Sequence, residues 1–236
     1  MTIFLGFVAE RQITVKQLWS TVDAAQGKMD SPARISALHD LVKLGIRLNN
    51  ISLNKTNLAG ADLSGADLAL AHLAGADLSG ADLAGADLAG ARLSGVNLSG
   101  AALYDADLSV VNLKSANLTG ANLDGTNLYG TILIGANLSA AHLAGADLAG
   151  ANLDGVNLHF ANLSAANLSG VNLSDADLKD AEFGCEKDSN NNTVCTNLTN
   201  AKNLTPDQVK QAKNWQQGIY DPEFRKKLGL PPKPGK

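Results

Sequence analysis

Leucine returns at every fifth position of this chain from Leu48 through Leu178, and Phe183 continues the series. From Thr56 onward a small residue sits two places before each of these. It is usually Ala, as at Ala61, Ala66 and Ala76, and elsewhere Val or Thr, as at Val96 and Thr126. The place just before the leucine is usually Asp or Asn, and Gly is the commonest residue two after it. This period matches neither the strand period of about 2 nor the helix period of about 3.6. Leucines spaced this way on a helix would spread around the whole cylinder and leave no face to bury. Gly and Asn at this density also oppose helix. The period fits a chain that turns a corner every five residues, so that each leucine and each small residue points inward. Glycine suits such corners because it accepts positive φ. Successive coils then stack through backbone hydrogen bonds about 4.8 Å apart, each touching only its neighbours. The pattern predicts an all-β solenoid.

Runs such as Ala61-Asp62-Leu63-Ser64-Gly65 and Ala121-Asn122-Leu123-Asp124-Gly125 resemble the A-(D/N)-L-x-x signature of pentapeptide-repeat proteins, over residues 46–204. The resemblance implies a right-handed quadrilateral β-helix with four pentapeptides, hence twenty residues, per coil. The frame from Ile46 to Phe183 then makes about seven coils, stacked over roughly 34 Å at the strand spacing. Each buried leucine should contribute about 1.5–3 kcal/mol.

An open solenoid needs covered ends, and the flanks suggest α-helical caps at both. Residues 1–45 read as the N-terminal cap. Ser31-Pro32 forms an N-cap and first helical residue, Ile35, Leu38 and Val42 share a stripe, and Gly45 stops the helix. A shorter helix is expected from Val15 to Ala25, with Leu18, Trp19 and Val22 as its apolar face. The apolar start, Met1 to Ala9, reads as part of the folded protein, with a cleaved signal peptide as the alternative. After Phe183 the frame breaks, and residues 184–195 read as a loop insertion. It resumes at Thr196-Asn197-Leu198 and slips by one at Leu204. Residues 205–236 read as a C-terminal helical cap and tail. Thr205-Pro206-Asp207-Gln208 forms a capping box, Asp221-Pro222-Glu223 opens a second helix that Gly229 closes, and the tail from Pro231 to Pro234 is expected to be mobile. A covered C-terminal end predicts a monomer.

Bulk properties narrow the function. Aromatic residues are 4% of the chain and the formal net charge is -4, which argues against direct nucleic-acid binding through clustered Lys and Arg. No run reaches the roughly 18–20 apolar residues of a membrane helix. Cys185 and Cys195 bracket the loop: a redox-sensitive clip, a local disulfide or two free thiols are all open. His72, His142 and His159 fall on three different sides of the coil and His39 lies outside it, so they cannot share a metal. No nucleophile–base pair and no phosphate loop stands out. The expectation is a protein without cofactor and without catalysis.

In a repeat protein the outward positions that break the pattern carry the information. Sorted by twenty, the side of Asn57, Asp77 and Asn97 and the side of Asp67 and Asp87 keep Asp or Asn before every leucine of the unbroken frame beyond Leu48. Those columns are candidates for structural ladders. A third side holds His72, Arg92 and Ile132, with Lys114, Ile134 and Asp154 one residue past their leucines. Apolar residues flanked by charge make this the first candidate partner face. The opposite side gathers Tyr104, Asp105, Asp124 and His142 as a second. The leading expectation is a protein–protein interaction module. The flanks and regular frame are similar to those of a cyanobacterial family member, which implies a cytoplasmic regulator of heterocyst differentiation. Its partner would be the master transcription regulator of that pathway or the inhibitory peptide signal. Some family members mimic DNA and bind DNA gyrase, the second expectation; the repeat region carries a net charge of about −9. A structural spacer is the third.

Overall fold

The structure is a computed structural model and describes residues 2–25 and 30–232, apart from the side chains of 2–11 and 13. Its repeat follows from the three kinds of position in each pentapeptide. In Ala61-Asp62-Leu63 the outer two side chains are buried and Asp62 faces solvent, a strand alternation only three residues long. The chain then turns: the Ala66 N–H donates to the Leu63 carbonyl at 3.0 Å, and Gly65 sits at φ 64°, a left-handed conformation that glycine adopts most readily.

Each short arm pairs with the arm twenty residues later in parallel. Leu63 N–H donates to Asp82 O (2.8 Å), Asp82 N–H to Ala61 O (2.9 Å), and Gly65 N–H to Ala84 O (2.8 Å). Bridges of this kind run in four columns, headed by Ser52, Asn57, Asp62 and Asp67. The coil is therefore four-sided and closes at twenty residues.

The core is a stack of leucines and small residues continuous through the coils. Thr126, Thr131 and Thr196 occupy small positions and are buried, but each hydroxyl donates to a main-chain carbonyl, at Leu103, Leu108 and Leu163, so none of these three hydroxyls is stranded. Most outward Asp and Asn residues bond the turn that follows. The Asp77 carboxylate accepts the Ser79 N–H (3.0 Å) and also the Asn97 amide of the next coil (2.9 Å). Hydrogen bonds, first from the Ser79 main chain, hold its pKa below the usual carboxylate value.

Before the coils, α1 spans Thr2–Ala24 and α2 spans Pro32–Lys43. Helix α1 is much longer than the expected Val15–Ala25: no proline interrupts residues 2–24, and the single Gly6 is tolerated at a cost of about 1 kcal/mol. The Ser31 hydroxyl accepts the Arg34 N–H, and Gly45 closes α2 at φ 68°. Gly45 N–H donates to Val42 O and Ile46 N–H to Leu41 O, the paired bonds of a Schellman stop. The buried face of α2 is Arg34, Ala37, Leu38 and Leu41. Of the expected stripe only Leu38 is fully buried; Ile35 and Val42 are half-buried at its margin. Arg34 donates to the Ala25 carbonyl, tying α2 to the end of α1, and Leu38, Leu41 and Val22 join the leucine core. No helix among the described residues is long and apolar enough to cross a membrane.

The insertion is more ordered than a loop. Strands β1 (Cys185–Lys187) and β2 (Thr193–Cys195) form an antiparallel hairpin, with Cys185 and Cys195 opposite each other and joined by a disulfide. Asp188 holds its tip by accepting the main-chain N–H groups of Asn190 and Asn192. The ladder then resumes with Asn167 bridged to Asn197 and Asn172 to Lys202. The backbone frame thus survives at Lys202, and the slip at Leu204 follows it. Helix α3 (Pro206–Lys210) starts at the Thr205–Gln208 capping box, and α4 (Pro222–Leu228) ends at Gly229, φ 75°. Asp221 makes no side-chain cap to α4; its carboxylate accepts the Asn200 N–H instead. Between α3 and α4 the ladder gains two further bridges, Glu182 to Lys213 and Asn197 to Ile219. The tail from residue 233 lies outside the described residues.

Two changes test this account of the core and corners. Leu118→Asp places a carboxylate where the side chain is fully buried and should cost at least about 4 kcal/mol; an unaltered thermal midpoint by circular dichroism would contradict inward leucines. Gly120→Val adds a Cβ that meets nothing within 4 Å, but at φ 64°. It should cost about 1–2 kcal/mol through backbone conformation alone, read from denaturant titration.

Candidate functional site

The ladder decides which surface residues become neighbours. Parallel bridges link His72 to Arg92, Arg92 to Asn112, Asn112 to Ile132 and Ile132 to Asn152. These side chains form one column, each step being one strand spacing of about 4.8 Å. A second row runs beside it. Gly95 N–H donates to Lys114 O, Ser115 N–H to Ile134 O and Gly135 N–H to Asp154 O, which stacks Lys114, Ile134 and Asp154. The structure therefore brings all six residues of the first candidate face together. Arg92, Lys114 and Ile132 are exposed; His72, Ile134 and Asp154 are half-buried.

Tyr104, Asp105, Asp124 and His142 also gather on one side, opposite the first. Asp105 N–H donates to Asp124 O, and His142 bridges Asn122. Part of this group is occupied by the scaffold. The Asp124 carboxylate accepts the Ala144 N–H at 2.9 Å. Asp105 folds across Gly125, where an added Cβ would lie 2.6 Å from its Oδ1.

The His72 face gives up stabilising contacts that the Asn57 and Asp67 faces keep. At Asn112 and Asn152 the side chain accepts the N–H two residues on, at Lys114 and Asp154. Arg92 and Ile132 have no acceptor to offer there, so a bond of about 1 kcal/mol is lost at each.

A stronger departure lies along the edge shared with the Asp67 face, at the corner position of the repeat. Leu70 and Val110 stand at corner positions usually held by glycine, at φ 59° and 57°. A β-branched side chain in that conformation is a steric outlier. Both side chains point outward, Leu70 53% and Val110 68% exposed. Leu70 leans over Gly90, whose added Cβ would come 2.8 Å from its Cδ2. Val110 N–H donates to Tyr129 O, which sets the exposed Tyr129 one coil along, and Ile132 is 42% exposed nearby on the face. The signal that would have found Leu70 and Val110 is the missing glycine, not the residue before the leucine. Beside Val110 the face is recessed, about 770 Å³, with Lys55, His72, Arg92 and Val110 in its walls and Gly90 in its lining.

Phe160 is a further corner outlier, at φ 61° and exposed, yet it has company. His159 stacks on it at 4.0 Å, Lys213 lies 5.6 Å above its ring, and the His159 Nε2 is 3.6 Å from Asp180. That cluster clasps the end of the stack. Among the described residues no group of three His, Cys, Asp or Glu could hold a metal ion.

Comparison with known proteins places the repeat. The family profile "Pentapeptide repeats" matches in overlapping stretches from residue 45 to residue 184. Among solved structures, the chain is similar to HetL, a pentapeptide repeat protein involved in heterocyst differentiation regulation in the cyanobacterium Nostoc. The two are 30% identical over 78% of this chain and 93% of that one, with a TM-score of 0.38. A pentapeptide repeat protein of the Arabidopsis thaliana thylakoid lumen is 37% identical over 38% of this chain, with a TM-score of 0.38; only 63% of its own length is spanned. The plasmid-mediated fluoroquinolone resistance protein QnrB1 is 20% identical over 76% of this chain and 95% of its own, with a TM-score of 0.43. A comparison with curated proteins finds none that matches. With its bridged twenty-residue coils and a profile match over more than half its length, the chain belongs to the pentapeptide-repeat family.

Proposed function

We propose that this protein is a non-enzymatic protein-interaction module that docks a partner on the His72 face and its Leu70–Val110 edge. One observation carries the reading. Val110 exposes a β-branched side chain at a left-handed corner, at a conformational cost of about 1–2 kcal/mol that glycine would avoid. Apolar surface held at a cost to the fold, beside exposed cations, has the composition of an interface core and its rim. The same reading takes the coil as right-handed, the terminal helices as end caps, and the protein as a cytoplasmic monomer.

The finer role we propose is regulation of heterocyst differentiation, acting on the master transcription regulator or its inhibitory peptide signal. It draws on the sequence resemblance to HetL. DNA mimicry draws its support from the acidic columns. Yet those carboxylates serve turns and ladders that asparagine serves equally, as Asn97 does beside Asp77. A structural spacer would leave the cost at Val110 without a return.

Two measurements bear on this. Val110→Gly should leave the thermal midpoint unchanged or raise stability by up to about 1 kcal/mol, while weakening partner capture; a marked loss of stability would mean that Val110 serves packing. In pull-downs from a cyanobacterial lysate, Arg92→Glu/Ile132→Asp/Ile134→Asp should lose one prey protein retained by wild type. Equal prey would move the site to the Tyr104–His142 side, and gyrase among the prey would favour mimicry.

A further inference from the structure

We infer that the segment received by the His72 face is an acidic stretch of a protein, with apolar side chains set among its carboxylates; this rests on that face being the docking surface. The charge pattern points there. Across residues 51–135 the face and its edges carry Lys55, Arg92 and Lys114 and no carboxylate. Over the same coils the other three sides carry carboxylates and no cation, the Asn57 side only Asp77. The opposite one carries Asp62 and Asp82, with Asp105 and Asp124 at its edge, and the Asp67 side adds Asp87 and Asp107. A chain of net charge -4 thus confines a cationic stripe to one side of its first coils.

Those cations are not neutralised within the fold. Among the described residues, basic and acidic side chains meet at His39–Asp62, Arg47–Asp67 and His159–Asp180, and none of these contacts involves Lys55, Arg92 or Lys114. Lys55 and Arg92 stand in the walls of the recess with Val110 between coils, and Lys114 and Ile132 continue the alternation of charge and apolar surface. Carboxylates of a partner would meet the cations while its apolar side chains cover Val110 and Ile132. A nucleic acid would leave those apolar groups uncovered, and its phosphates would run against Asp67, Asp87 and Asp107 on one flanking side and Asp77 on the other.

The test uses the full, ¹⁵N-labelled chain and two synthetic peptides of about twelve residues that share the same leucines, flanked by glutamates in one and lysines in the other. The glutamate peptide should shift the amide signals of His72, Arg92, Asn112 and Ile132. Its affinity should fall at least tenfold between about 50 and about 500 mM NaCl. The lysine peptide should leave those signals in place. Arg92→Glu/Lys114→Glu alters two exposed side chains, so it should melt like wild type and exchange the two peptides' behaviour. Equal binding of both peptides, shifts confined to another side, displacement by a short oligonucleotide, or no shift with either peptide would overturn the inference. Partner loss in the Arg92/Ile132/Ile134 pull-down would stand independently of these outcomes, so the docking face and the chemistry of its partner can fail separately.

Discussion

The left-handed corner is the constraint on which the rest of this molecule depends. One residue in five must take positive φ, as Gly65 does at 64°. The arms can then lie in register with those twenty residues later, and the leucines all face inward. The corner also explains why glycine is frequent without being obligatory: Asn, Asp and Ala stand at Asn200, Asp180 and Ala140 with the same φ sign. Each such replacement spends stability, least for Asn and Asp. The stack tolerates this because its leucines supply a large surplus of buried apolar surface.

Much of the fold was legible in the chain because its period is strict. Sorting by twenty placed His72, Arg92 and Ile132 in one column, and the bridges place them there too. The rest was hidden for separate physical reasons. Leu70 and Val110 each follow a leucine that keeps its preceding Asp, and their departure lies at the corner, where it is the positive φ that makes a side chain costly. The hairpin of β1 and β2 is too short and polar to show a strand pattern, and its pairing rests on the Cys185–Cys195 bond and the Asp188 turn. Lys213 and Ile219 join the ladder without any repeat motif, since a bridge needs only a main chain in the right place.

The acidity of the repeat also reads differently once its bonds are known. Asp77, Asn97 and Asn117 stand in one column and make the same turn contact through one side-chain oxygen. The exchange of Asp for Asn therefore alters charge with little effect on geometry. Net charge can drift in such columns while the coil stays as it is. Arg92 and Ile132 are of another kind, because they abandon the bond itself.

Between Asn167 and Asn197 the chain makes a ten-residue excursion and returns to the neighbouring rung. Its two ends meet at a paired and cross-linked base, so its root stays fixed to the coil whatever the sequence of its tip. An excursion of this kind adds surface without stretching the coil, because loop closure grows only slowly with length. Corners are thus sites at which the solenoid could acquire new segments by insertion, each presented at a fixed height and on a fixed side, while the bridges above and below keep their partners.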